Sequence, residues 1–432
     1  MVSRNMLEIS ANPFYPHVSH FDSGTGIAAC EFPVFNSLQF FCYKFFGYAK
    51  WYGRFINLLV SSIGLWFFYC LARRLLRDEP AALAAMLFLA ASIWFNYSRR
   101  NMPDTFAVSL GLMAVEVGWR YLENGKTWAL AAFFVLCSAG LLSKMPAACN
   151  LPILLIPMFF VENLPKNRKI WLFSAGFVAV ALMSAWYFWW VPYLETIGEK
   201  LTWPETFQNG WRQIMGQYAP RTWKQFWQVS FHGEFVFWLA VAGLVFVFLK
   251  KNWPLLAAVA GWAVVSFAFM LKAGFIFSTH DYYTVPIVPM MAVLAGNAFS
   301  LLHFPKKKWA LLAIAVAAGT VSAQKQIKWY DRTEDYDFAL NKLESLADQV
   351  IPKGDKIVVN DYKLSPVLLF WAHRHGTIVE NTDIHKYRWL SGKADQGATF
   401  AIINKRTLPD SLPFEVALDD PDFRIYKLHK SD

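Results

Sequence analysis

Apolar runs of roughly 15 to 22 residues, close to the length that crosses a bilayer, recur from Phe55 to Ala323, and hydropathy falls abruptly after Lys325. This recurrence leaves few folds open. A chain that crosses a bilayer many times must satisfy its backbone polar groups inside each segment, and helices do so. We read about ten spans: Phe55–Leu71, Ala81–Phe95, Thr105–Tyr121, Trp128–Leu142, Met145–Val161, Trp171–Val191, Phe235–Leu249, Trp253–Leu271, Tyr283–Leu302 and Trp309–Ala323. Charged residues are 17% of the 432, against about 25% in a soluble protein. The expected fold class is a polytopic α-helical membrane protein with a small C-terminal soluble α/β domain.

The net charge is +10, but the Lys and Arg lie in short clusters between apolar runs. That placement fixes orientation in a membrane and argues against a nucleic-acid partner. One set of connectors is short and basic: Arg73, Arg74, Arg77; Arg120, Lys126; Lys166, Arg168, Lys169; Lys250, Lys251; Lys306, Lys307, Lys308. The positive-inside rule puts this set in the cytoplasm. Met1–Arg54, Ser98–Asp104, Ser143–Lys144, Pro192–Glu234, Ala273–Asp281 and the C-terminal residues then face outward. Met1–Arg54 lacks an apolar signal region, so a first helix is expected upstream of Met1. Five cysteines show no zinc spacing; Cys70, Cys137 and Cys149 read as packed thiols, and Cys30 and Cys42 are placed to pair if their segment is extracytoplasmic.

Three parts are expected. Residues 1–54 form an extracytoplasmic first loop with an amphipathic stretch, Val34–Phe46. Residues 55–326 form the transmembrane part. Residues 330–432 form an extracytoplasmic α/β domain, with helices over Asp335–Ala347 and Ser365–His373. Its strands are expected at Lys356–Asn360, Gly376–Val379, Thr399–Asn404, Phe414–Leu418 and Phe423–Leu428.

The outward loops carry the polar residues that composition does not explain. Asp22 and Glu31 precede the amphipathic stretch; a carboxylate beside aromatics at a membrane surface serves as a general base, as a metal ligand, or as a solvated loop acid. Arg99, Arg100 and Asp104 stand where one span ends and the next begins, and Asp104 is also placed to cap that helix. Lys144 lies at a helix break, which suits an anionic lipid phosphate or snorkelling to the interface. His280 and Asp281 offer metal or hydrogen-bond partners, followed by Tyr282 and Tyr283. Glu116, inside an apolar run, is an ionisable group towards the cytoplasmic end.

The order of these motifs resembles the integral-membrane GT-C glycosyltransferases. The likeness rests on Glu31-Phe32-Pro33, the amphipathic helix ending at Phe45-Phe46-Gly47, and Gly53-Arg54 entering the first span. It continues in the RRNMPD run at Arg99–Asp104, GLLSKMP at Gly140–Pro146 and HDYYTVPIVP at His280–Pro289. The family is glycosyltransferase family 39, which includes protein O-mannosyltransferases and lipid A aminoarabinose transferases, and the likeness runs to about Leu302. It implies transfer of a sugar from a polyprenyl-phosphate donor to an envelope acceptor on the outer side of the bacterial inner membrane.

By this resemblance, Glu31 is an active-site acid or metal ligand and Asp104 supports it. Lys144 contacts the donor phosphate, joined by Arg99 or Arg100. His280 and Asp281 close the site, with a divalent metal (Mg, Mn or Zn) as a candidate cofactor, and Tyr282 and Tyr283 form a substrate loop. The family's catalytic Asp falls just upstream of Met1, since Ser3–Met6 align with the residues that follow it; Asp22 is another carboxylate of the loop and stands as a catalytic candidate. A transporter or lipid flippase, or a truncated non-catalytic homologue, is the alternative.

Overall fold

The computed structural model describes residues 1–20, 25–201, 204–299, 335–360, 366–381, 387–408 and 412–430, with single positions within 309–324 and at 384. The chain divides into two compact units. One holds Glu31–Trp190 and Trp203–Tyr330; the other holds Met1–Cys30, Val191–Thr202 and Asp331–Asp432. The residues of the first loop are thus shared between the units.

Along the chain the first helices are α1 (Val2–Glu8), α2 (Val34–Phe46), α3 (Tyr52–Leu76), α4 (Glu79–Ala91), α5 (Trp94–Tyr97), α6 (Pro103–Asn124), α7 (Thr127–Ser143) and α8 (Lys166–Ala185). Then come α9 (Val191–Ile197), α10 (Phe207–Arg212), α11 (Ala219–Lys224), α12 (Phe235–Leu249), α13 (Trp253–Ala273), α14 (Phe275–Thr279) and α15 (Val288–Phe299). Among the described residues, three helical stretches are long and apolar enough to cross a membrane: Tyr52–Leu76, Lys166–Ile197 and Trp253–Ala273. Shorter apolar helices cover most of the other expected spans. Trp309–Ala323 lies largely outside the described residues.

Met145–Val161 is not an α-helix. It forms a 3₁₀ helix over Met145–Leu154 and a π-helical turn over Ile156–Phe160. Pro146, Pro152 and Pro157 lack the N–H that an α ladder requires, so the segment takes other geometry.

The helical unit is organised around α6. Of its 22 residues, 18 are buried. It packs against α3, α7 and the 3₁₀ segment. Small residues let the backbones approach, as is usual between membrane helices. Gly64 of α3 meets Ser109 of α6 so closely that a Cβ would lie 2.4 Å from Ser109 Oγ. At the far end of α6, Glu116 is 1% exposed and accepts from Arg74 Nε (2.9 Å) and Arg120 Nε (2.8 Å). Arg74 also reaches Glu123 at 2.6 Å. A buried carboxylate needs such partners, and Glu116 therefore ties α3 to α6.

The other unit contains a parallel pair, β1 (Ala28–Ala29) with β2 (Glu199–Lys200), and a five-stranded sheet. The strands of that sheet are β3 (Lys356–Asn360), β4 (His375–Val379), β5 (Ala398–Asn404), β6 (Glu415–Asp419) and β7 (Phe423–Lys427). Their order is β4-β3-β5-β7-β6. The pairs β3–β4 and β3–β5 are parallel; β5–β7 and β6–β7 are antiparallel. Parallel strands are covered on both faces. Ile357 and Val359 pack with Leu343, Ala347 and Leu368, whereas Val358 packs with Leu390 and Ala394 on the opposite face. The second cover comes from a helix over Tyr387–Asp395, which the sequence reading did not anticipate.

Candidate functional site

Asp104 enters the site because Pro103 fixes where α6 begins. The helix cap is Met102, in extended geometry, and Pro103 occupies the first turn. Asp104 is therefore not the cap that the sequence suggested. Its side chain turns to Lys144, whose Nζ lies 2.7 Å from Asp104 Oδ1. Lys144 terminates α7 in extended geometry, just before the 3₁₀ helix. The break lets the ammonium reach across to the start of α6.

Glu31 joins this pair, with Oε1 4.0 Å from Lys144 Nζ. Phe32, next to it, packs edge-on against Trp186 at 4.9 Å. Burial works against the Lys144 charge, but Asp104 and Glu31 outweigh burial and hold its pKa above the ordinary lysine range. The ammonium also lies 5.0 Å from the centre of the Tyr282 ring, an attractive cation–π geometry. Asp104 is 3% exposed, and its second oxygen, Oδ2, is buried without a hydrogen-bond partner among the described residues.

Asp104 and Lys144 line a small recess, which Glu31 adjoins through Lys144. Asp104, Lys144, Tyr282 and Tyr283 supply its polar part. Val108, Pro146, Ala147, Phe269 and Pro286 supply an apolar floor. Tyr283 stacks on Phe269, with ring centres 5.5 Å apart and planes within 4°. A site with one cation, carboxylates and an apolar floor suits an anionic headgroup on an apolar tail.

The remaining sequence candidates take other places. The Asp281 carboxylate accepts from the Tyr97 hydroxyl. His280 Nδ1 lies 2.9 Å from Thr279 Oγ1, and its ring packs on Tyr282 at 5.3 Å. Arg99 lies over the Phe95 ring at 4.4 Å, and Arg100 over Tyr97 at 5.1 Å. Asp22 lies outside the described residues. Two residues of this region escaped the sequence reading, Asn57 and Tyr97. Asn57 carried a signal, as an amide inside an apolar run; Tyr97 carried none.

Among the described residues, Glu31, His280 and Asp281 are not gathered into one cluster. Among the described residues, no three His, Cys, Asp or Glu side chains gather as a metal site requires. Glu31 faces an ammonium and Asp281 is engaged by Tyr97.

Residues 31–189 match the family model described as dolichyl-phosphate-mannose-protein mannosyltransferase. An uncharacterized protein of Aquifex aeolicus is 28% identical over 150 residues, 34% of this chain and 30% of its own length. The chain thus spans less than a third of that relative. Crystalline ArnT from Cupriavidus metallidurans bound to undecaprenyl phosphate aligns over 99% of this chain and 92% of its own, at 13% identity and a TM-score of 0.59. Archaeal oligosaccharyltransferase AglB from Archaeoglobus fulgidus, in complex with an inhibitory peptide and a dolichol-phosphate, aligns over 94% of this chain and 65% of its own, at 11% identity and a TM-score of 0.56.

Proposed function

We propose that this chain, a membrane protein with the GT-C glycosyltransferase fold, transfers a sugar from a polyprenyl-phosphate donor to an acceptor at the membrane surface. The carrying observation is the grouping of Lys144, Asp104 and Glu31 beside Tyr282 and Tyr283, over an apolar floor. The likeness to proteins bound to undecaprenyl phosphate and to a dolichol-phosphate supports the choice of donor.

In this reading the acceptor oxygen attacks the anomeric carbon. The bond from that carbon to the phosphate oxygen breaks, and its electron pair leaves with the lipid phosphate. Configuration inverts in one displacement. Lys144 meets the charge that grows on the phosphate. Asp104, through Oδ2, or Glu31 takes the acceptor proton. Arg99 and Arg100 add positive charge to the approach, His280 and Asp281 close the site, and Tyr282 and Tyr283 bound the substrate. The alternation of basic connectors turns the recess outward, in a bacterial inner membrane, towards an envelope glycolipid, polysaccharide or protein.

The test is transfer of labelled sugar from polyprenyl-phosphate donors in membranes carrying the protein. Lys144→Ala is expected to lower transfer by about 100-fold or more, the scale of losing one charge-stabilising group. Asp104→Asn and Glu31→Gln are measured beside it. Undiminished transfer in all three variants overturns the reading. Movement of labelled lipid across the bilayer without a new glycosidic bond points instead to a flippase or transporter.

A further inference from the structure

Asn57 lies in α3 with no exposed surface. The two N–H groups of its Nδ2 are shared among three backbone carbonyls: Tyr97 O (2.7 Å), Arg100 O (2.8 Å) and Met102 O (3.0 Å). Its Oδ1 accepts from Thr105 Oγ1 (2.9 Å) and Ser61 Oγ (3.1 Å). Carbonyls only accept, so the partners themselves fix which end of the amide faces the turn.

The three carbonyls bracket the turn between α5 and α6. At one end of that turn stands Asp104, with Thr105 beside it and Met102 two residues before it both bonded to Asn57. At the other end stands Tyr97, whose hydroxyl holds Asp281 at the head of the turn bearing Tyr282 and Tyr283. One side chain therefore fixes backbone that leads to both walls of the recess.

We infer that Asn57 is a positioning residue for the recess: it holds the start of α6 so that the Asp104 carboxylate meets the Lys144 ammonium, and it holds Tyr97 so that Asp281 keeps its turn in register. Apolar packing does not substitute for it. A Leu here leaves three carbonyls without their donor, and a buried carbonyl without a donor is unfavourable. The kinetic consequence, a fall in kcat larger than any rise in KM, rests on the transferase reading. The geometric claim does not.

The test reads Lys144 directly, in the full chain in detergent. A small amine-acylating reagent is applied and modification is located by mass spectrometry, with the exposed Lys250 as internal reference. Asn57→Ala removes the whole network; Asn57→Asp keeps the shape and the acceptor but loses the donors. Displacing Asp104 by enough to cost one pKa unit makes the free Lys144 amine about tenfold more abundant. We expect Lys144 to react about tenfold faster relative to Lys250 in both variants. Glu116→Gln, at the far end of α6, controls for general loosening and is expected to leave the ratio unchanged. Asn57→Ser keeps one donor and covers the case where the larger losses unfold the protein; a smaller acceleration is expected there.

A wild-type ratio in all folded Asn57 variants overturns the inference. So does an equal acceleration in Glu116→Gln, which marks a merely structural role. A wild-type protein without transfer activity sinks the transferase reading and leaves the labelling to decide on Asn57.

Discussion

Lys144 and Asp104 neutralise each other across 2.7 Å, at a place where neither has much access to water. Removing one strands the other. Lys144→Ala is expected to cost about 3–5 kcal/mol, the scale of leaving a buried charge unpaired. The double variant Lys144→Met with Asp104→Leu removes both charges and is expected to recover most of that loss without recovering transfer. Thermal unfolding in detergent beside the transfer assay separates the two effects. A double variant no more stable than Lys144→Ala would contradict the pairing.

Glu116 makes the opposite case, a buried carboxylate remote from the recess. Glu116→Ala removes the acceptor of two charge-assisted hydrogen bonds from partly exposed arginines, and stability is expected to fall by about 1.5–3 kcal/mol. Specific transfer by the protein that remains folded should be unchanged. Loss of kcat at full stability would instead tie this cluster to the chemistry.

Gly243 marks a close approach of α12 to α15. A Cβ there would sit 1.8 Å from Leu294 O, and Asn297 Nδ2 donates to Gly243 O at 3.1 Å across the same contact. Backbone does not yield as a side chain does. Gly243→Ala is expected to push the helices apart and to cost about 3 kcal/mol, read as a lowered unfolding temperature. An unchanged temperature would mean that the contact relaxes freely.

Acid should weaken the unit that holds the sheet. Burial pushes the His375 imidazole below the ordinary histidine range, with Arg4 adding to it, and burial does the same for His17. The unfolded chain therefore binds more protons than the folded one below about pH 6.5, so stability is full above that pH and is lost as pH falls. Glu8 follows at lower pH. Burial raises its pKa, but the hydrogen bond to His373 and the charges of His373 and Arg4 outweigh burial and depress it. Its contribution is present above about pH 4.3 and disappears as pH falls further. Unfolding of the full chain followed from pH 8 down to about pH 3 checks this, and a flat profile would refute it.

The sheet strands were legible because β-branched and aromatic runs such as Lys356–Asn360 and Phe423–Lys427 occur there between turns. The helix over Tyr387–Asp395 was missed because its apolar positions are few and spaced by polar ones. Met145–Val161 misled because hydropathy counts apolar residues and ignores missing N–H groups at three prolines. Within the site, Lys144, Asp104 and Glu31 were legible as charges that apolar surroundings make conspicuous. The cap assigned to Asp104 failed by two residues, since Pro103 starts the helix and Met102 is its cap. Tyr97 was not legible: its link to Asp281 joins positions 184 residues apart, and no local pattern records that.

The burial of α6 has a consequence for how the protein is made. The helix is 22 residues long, yet it is not among the stretches apolar enough to cross a membrane on their own. Its neighbours shield it from lipid, so it carries Asp104, Thr105, Ser109 and Glu116 without facing acyl chains. Insertion machinery that weighs each segment against lipid as it emerges has little reason to release α6 alone. We predict that α6 integrates poorly as an isolated segment and efficiently when α3 precedes it and α7 follows, as glycosylation mapping of nascent chains would read. Equal insertion in both contexts would refute this. The helix on which the recess depends is then committed to the bilayer only once α7 has followed it, a passenger of segments synthesised before and after it.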